Sequence, residues 1–193
     1  MKRIALVVLM LSASVASFPQ NPAKSIYSGG MLILQPGYAI TTSNYQTLRN
    51  LSFGIGGILR FYFLDHLTAG MYGGTQKTHY SSANSDNSYL NLGYGGPFIG
   101  YSRKSGKFRY TASAFVGRGS IKNLHIESQV NHVLTEAYWH KYPVTVFSPI
   151  LSLDYSLSTR LMLTFQTVCL TAFYDTNRSF FNPTFQAGVL FNR

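Results

Sequence analysis

Acidic residues are scarce in this chain. Its 193 residues include 6 Asp and Glu against 16 Lys and Arg, and only 11% are charged although 46% are hydrophobic and 15% aromatic. Soluble domains carry about 25% charged residues, so the groups that would solvate a water-soluble exterior are missing. Long hydrophobic runs are missing too. After the N-terminus no stretch reaches the roughly 18 uninterrupted apolar residues of a membrane helix. A membrane-like composition without a spanning helix leaves the closed β-barrel, because lipid tolerates no unpaired sheet edge. The single cysteine, Cys169, excludes an internal disulfide.

The N-terminus carries export chemistry. Lys2 and Arg3 form a positive region, Ile4 to Leu11 an apolar one, and Ser14-Val15-Ala16 a small-residue cleavage site. A secretory signal over 1–16 is expected, leaving 17–193 as one domain. Export argues against nucleic acid as the partner of the formal charge of +10.

The clearest structural signal is Leu51 to Tyr80, which reads as two strands joined at Leu64-Asp65-His66. In the first, Phe53, Ile55, Gly57, Leu59, Phe61 and Phe63 share one face, and Ser52, Gly54, Gly56, Ile58, Arg60 and Tyr62 the other. In the second, Leu67, Ala69, Met71 and Gly73 alternate with Thr68, Gly70, Tyr72 and Gly74. One face is greasy; the other is small, aromatic or polar, yet nearly uncharged. A soluble hairpin puts Lys and Glu on its wet side. A membrane barrel instead puts lipid outside and a packed polar lumen inside.

The remaining strands are read at Ser28–Tyr38, Tyr89–Tyr101, Phe108–Ser120, Val144–Tyr155 and Arg160–Tyr174, with a last one from Thr184. Polar stretches at Ala39–Asn50, Ser81–Ser88, Lys122–Tyr142 and Asp175–Asn182 read as long loops. Connections around Asp65, Ser105 and Ser158 are short. Such alternation is the sidedness of outer-membrane barrels, with short periplasmic turns and long extracellular loops. A soluble lipocalin-like barrel would need a charged outer face, and strands three, four, seven and eight lack one.

On these runs the chain resembles the small eight-stranded outer-membrane barrels of Gram-negative bacteria, the OmpA/OmpX/OmpW-like group. Its last strand, FQAGVLFNR, is similar to the alternating aromatic signal read by the barrel-assembly machinery, although Asn192 and Arg193 follow Phe191. The resemblance implies an all-β, eight-stranded antiparallel up-and-down transmembrane β-barrel in the cell outer membrane. Outer-membrane lipids and lipopolysaccharide, with the assembly machinery during biogenesis, are the implied partners. It transfers no catalytic residue, cofactor or metal.

Four constellations bear on chemistry. Glycines crowd strands two to four, where they let a small barrel curve and make room for Tyr72 or Tyr94, or else leave a cavity. Arg60, Asp154 and Arg160 fall on the inward face near the short turns, so Asp154 is expected to pair with an arginine in a structural network. Arg109 lies nearby on a poorly alternating strand. His132, Glu136 and His140 would share one face of a helix, a weak candidate site for Zn²⁺ or Cu²⁺. His79-Tyr80-Ser81, with Glu127 or Glu136, is superficially similar to the His-x-Ser element of a lipid A deacylase, but stands on an early strand rather than a late one. Arg49, Lys77, Lys122, Lys141 and Arg178 would ring the outer rim near lipopolysaccharide phosphates. The reading is a structural or surface-interaction protein. A narrow pore or transporter for small hydrophobic molecules is the alternative, and a lipid A acyl hydrolase or transferase the third.

Overall fold

The computed structural model describes residues 27–42, 45–63, 66–82, 85–130, 133–158, 160–175 and 178–192. The expected signal segment, His132 and the turn residue Asp65 lie outside the described residues. Eight strands follow in order: β1 (Tyr27–Thr42), β2 (Thr47–Phe63), β3 (Leu67–Ser82), β4 (Ser85–Ser105), β5 (Phe108–Val130), β6 (Val133–Ser156), β7 (Leu161–Asp175) and β8 (Arg178–Asn192). Each pairs antiparallel with its sequence neighbours, and β8 closes onto β1. Closure leaves no sheet edge, the condition that lipid imposes.

Side-chain alternation sorts the two faces as the Leu51–Tyr80 pattern requires. Ser52, Ile58, Arg60, Tyr62, Thr68 and Tyr72 are buried inside the barrel, while Phe53, Ile55, Leu59 and Met71 are exposed. The outward apolar residues continue round the molecule through Leu32, Ile99, Leu151, Phe185 and Phe191. Such a belt suits hydrocarbon and does not suit water.

The strands are longer than the sequence pattern suggests, and the long loops are corrected accordingly. Most of 39–50, 81–88, 122–142 and 175–182 is ladder rather than loop. Polar composition there reports water on both faces, whereas the ladder is made by backbone groups that every residue but proline carries in full. The correction is largest at β5 and β6, of 23 and 24 residues. They pair from Phe108↔Tyr155 up to Val130↔Val133, with irregular register near Ser128. Glu136 and His140, read above on one face of a helix, therefore lie on a strand. β4 pairs β5 only as far as Tyr89↔Leu124, and β7 pairs β6 only as far as Phe173↔Thr145. The β5–β6 hairpin thus runs on past the paired ends of β4 and β7, at what we call the hairpin end.

The opposite end carries the short connections. At the β4–β5 turn Gly106 adopts a φ of 58°, a left-handed conformation that glycine enters without steric cost. Inside, glycine serves close approach. A Cβ on Gly56 would collide with the side-chain amide of Gln35, and one on Gly70 with the Phe98 ring. Room is thus given to Gln35 and Phe98, rather than to Tyr72 or Tyr94 as expected.

Candidate functional site

The barrel interior is filled. Among the described residues Asp154 is the one buried carboxylate, and it lies 2.9 Å from the buried Arg60 guanidinium. Tyr62 donates to the same carboxylate oxygen at 3.1 Å, and Thr164 donates to the other at 2.8 Å. Arg60 also donates to Tyr62 at 3.1 Å, Ser152 at 3.3 Å and the Gln166 carbonyl at 3.4 Å. A guanidinium with several acceptors can remain charged in a place where a lone charge would be expelled.

From Gln166 the hydrogen bonds continue along the axis. The Gln166 amide donates to Gln186 at 2.6 Å, and Gln186 to the Tyr72 hydroxyl at 2.7 Å. Tyr72 and Tyr94 share a hydrogen bond of 2.9 Å. Tyr94 donates to Gln35 at 3.0 Å, and Gln76 donates to Gln35 at 3.2 Å. The Phe115 ring packs edge-on against Tyr72, with centroids 5.2 Å apart. Side chains from six strands interlock in this plug, and all of them are buried.

The other cluster sits at the hairpin end, where Tyr45 from the β1–β2 connection reaches the projecting hairpin. Its ring stacks on His125 at 3.7 Å with 9° between planes, and its hydroxyl lies 2.9 Å from His140 Nε2. Tyr80 and His125 Nδ1 are 3.3 Å apart, and Tyr80 donates to Asn123 at 2.8 Å. These contacts clasp the hairpin to the barrel mouth. Burial lowers the His125 pKa from its usual 6.5, and His140 adds to this while Glu127 opposes it. Burial first, then the neighbouring Tyr142 and Glu127, raises the Tyr45 hydroxyl. A hydrogen bond to Glu136 at 2.7 Å and that carboxylate's charge push Tyr138 to about 12. Sequence reasoning missed Tyr45 and His125 as a pair, because 80 residues separate them and neither sits in a motif.

The residues singled out from sequence fall as follows. Arg60 and Asp154 meet. Arg160 does not join them: it is exposed in the bend one residue before β7 begins. Its parity is inward, but with no ladder to hold it there a charged side chain turns to water. Arg109 lies over the Tyr62 ring at 4.0 Å and donates to Ser102 at 3.2 Å. Glu136 and His140 are four residues apart on a strand, about 13 Å along the chain, instead of one helical turn. Glu136 holds Tyr138, and His140 holds Tyr45. Among the described residues no three His, Cys, Asp or Glu side chains gather as a metal site. His79 and Ser81 point outward on β3, with His79 6.1 Å from the Tyr89 ring, whereas Glu136 lies on the inward-facing rows of β6. No triad is assembled from them.

No known family pattern and no curated protein matches the sequence. Similarity appears in the fold. The chain superposes on the attachment invasion locus protein Ail of Yersinia pestis, in complex with the heparin analogue sucrose octasulfate, with a TM-score of 0.55 and 10% identity over 88% of this chain and 100% of that one. Neisserial surface protein A gives a TM-score of 0.54 and 10% identity over 86% of this chain and 97% of that one. The eight-stranded antiparallel barrel is therefore the fold of small outer-membrane barrels.

Proposed function

We propose that the protein is an outer-membrane barrel whose plugged cylinder anchors a surface-interaction element, the β5–β6 hairpin, on the cell exterior. One observation carries this reading: at the base of the extended β5–β6 hairpin Tyr138 and Trp139 are exposed (40% and 53%), above a lumen filled by hydrogen-bonded side chains. Exposed aromatics on a rigid support are the residues that dominate protein contacts. A filled lumen disfavours the pore, and a scattered His79, Ser81 and Glu136 disfavour acyl transfer.

Two measurements test it. Purified protein in a planar bilayer is expected to give no channel events, and steady conductance would overturn the anchor reading. Cells displaying the barrel are compared on a heparin-coated surface with cells whose hairpin tip, 127–136, is replaced by an Asn-Gly turn and whose Tyr138 and Trp139 are replaced by Ser. Retention is expected to fall in the variant. Equal retention would remove the hairpin from the interaction.

A further inference from the structure

The outward face of β3 to β6 departs from the apolar belt. Lys77 on β3, Asn91 on β4, Lys122 on β5 and Lys141 on β6 are register neighbours in one row. All four have outward parity, like Arg118, which lies four residues below Lys122 on β5. Arg118 and Lys141 border an open recess of about 510 Å³, floored by Gly93, Gly119 and Ser120. Above it stands an aromatic rim, in which Tyr89 packs edge-on against Trp139 at 6.4 Å and Lys77 sits 4.2 Å over the Tyr89 ring.

Folding alone does not explain this patch. Lys122 and Lys141 face each other directly across the β5–β6 ladder, an arrangement in which like charges repel. Among the described residues none of Arg118, Lys122 and Lys141 is in an ion pair. The depth is informative as well. On β5 the outward residues from Phe108 to Val116 belong to the belt, a climb of roughly 20 Å at the usual rise and strand tilt. Arg118 comes next, at the top of a band about 25 Å tall, which is where lipid headgroups begin.

A second feature leads down from the recess. In the row below, Arg118 pairs with Gly95, Gly95 with Gly73, Gly73 with Gly57, and Gly57 with Leu32. Followed round the closed barrel, a row that leaves β6 at Lys141 returns to it at Leu151, nearer the short-turn end. The glycine row therefore slopes from the basic recess into the apolar belt. It floors a groove of about 790 Å³ walled by Leu32, Leu59, Met71 and Phe191. Packing does not demand glycine at every point along it. A Cβ at Gly95 or Gly57 would meet only a backbone oxygen, at 3.9 Å and 3.4 Å.

We propose that Arg118, Lys122 and Lys141, assisted by Lys77, bind the phosphorylated head of an acylated glycolipid of the surrounding outer leaflet, with an acyl chain in the Gly57–Gly73–Gly95 groove. Arginine supplies a bidentate phosphate contact and the lysines supply point charge. The anion relieves the Lys122–Lys141 repulsion, and the groove accepts the chain at the depth where chains lie. This site rests on the outer-membrane placement but not on the hairpin, so cell-surface retention and lipid binding can fail separately.

Native mass spectrometry of the full-length protein, transferred from detergent, tests the site with bisphosphorylated hexa-acyl lipid A as probe. One lipid A per barrel is expected to be retained, with dephosphorylated lipid A and phosphatidylethanolamine retained at least about tenfold less. R118Q/K122Q/K141Q is expected to lower lipid A retention by a similar factor, and G57L/G95L to lower it by filling the groove. All five positions face outward, and the heat-dependent electrophoretic shift reports that each variant is folded; R118Q alone replaces the triple variant if that does not fold. Undiminished lipid A binding by the folded variants, or equal retention of the dephosphorylated lipid, overturns the proposal. So does a heparin oligosaccharide that binds through these three cations when lipid A does not.

Discussion

Asp154 concentrates the residue-scale physics of the barrel. Its two carboxylate oxygens accept from Arg60, Tyr62 and Thr164, so deleting it strands the Arg60 charge in a sealed interior. Removing one partner of a buried pair costs about 3–5 kcal/mol. Asp154→Ala should therefore lower the thermal midpoint of the refolded barrel in detergent, and an unchanged midpoint would refute the pairing. Tyr72 is a milder case, since its hydroxyl meets Gln186, Gln35 and Tyr94. Tyr72→Phe keeps the ring against Phe115 but leaves buried amides short of a partner, a loss of about 1–3 kcal/mol. Urea unfolding in detergent should resolve it as a smaller shift than that of Asp154→Ala. Arg60 and Asp154 were legible from alternation alone, because the short turns fix which residues point inward. Arg160 was misread because parity has meaning only inside a ladder.

At the scale of the element, the β5–β6 hairpin is where pH should be felt. His125 faces Tyr45, Tyr80, His140 and Glu127, and burial lowers its pKa. The unfolded hairpin takes up the proton first on acidification, so stability rises with pH through this range. The contribution of the clasp is intact above the unfolded value of about 6.5 and is lost as pH falls through the folded value. Amide exchange along 123–142, corrected for intrinsic rates, should be faster at acid pH than at neutral pH, and His125→Gln should flatten the difference. Identical protection at both pH values in the wild type would discard the clasp as a titrating element. The length of this hairpin was hidden in the sequence. Beyond the membrane both strand faces are wet, period-2 patterning fades, and a polar ladder reads like a loop.

For the whole molecule, the decisive contrast is between exterior and interior. An apolar exterior with 11% charged residues overall and a lumen crossed by hydrogen bonds from Asp154 to Gln76 make a barrel that is greasy outside and sealed within. The sequence by itself determined the strand count, the closed antiparallel order and the inward and outward faces. Each follows from local alternation, from short turns and from the need to satisfy every backbone group in lipid. Only the tertiary structure decided which distant residues meet. Register and closure bring Tyr45 to His125, set Lys122 against Lys141, and align Gly57, Gly73 and Gly95 with Arg118. Side-chain period is a property of one strand, but stagger is a property of the closed sheet, and no single strand carries it.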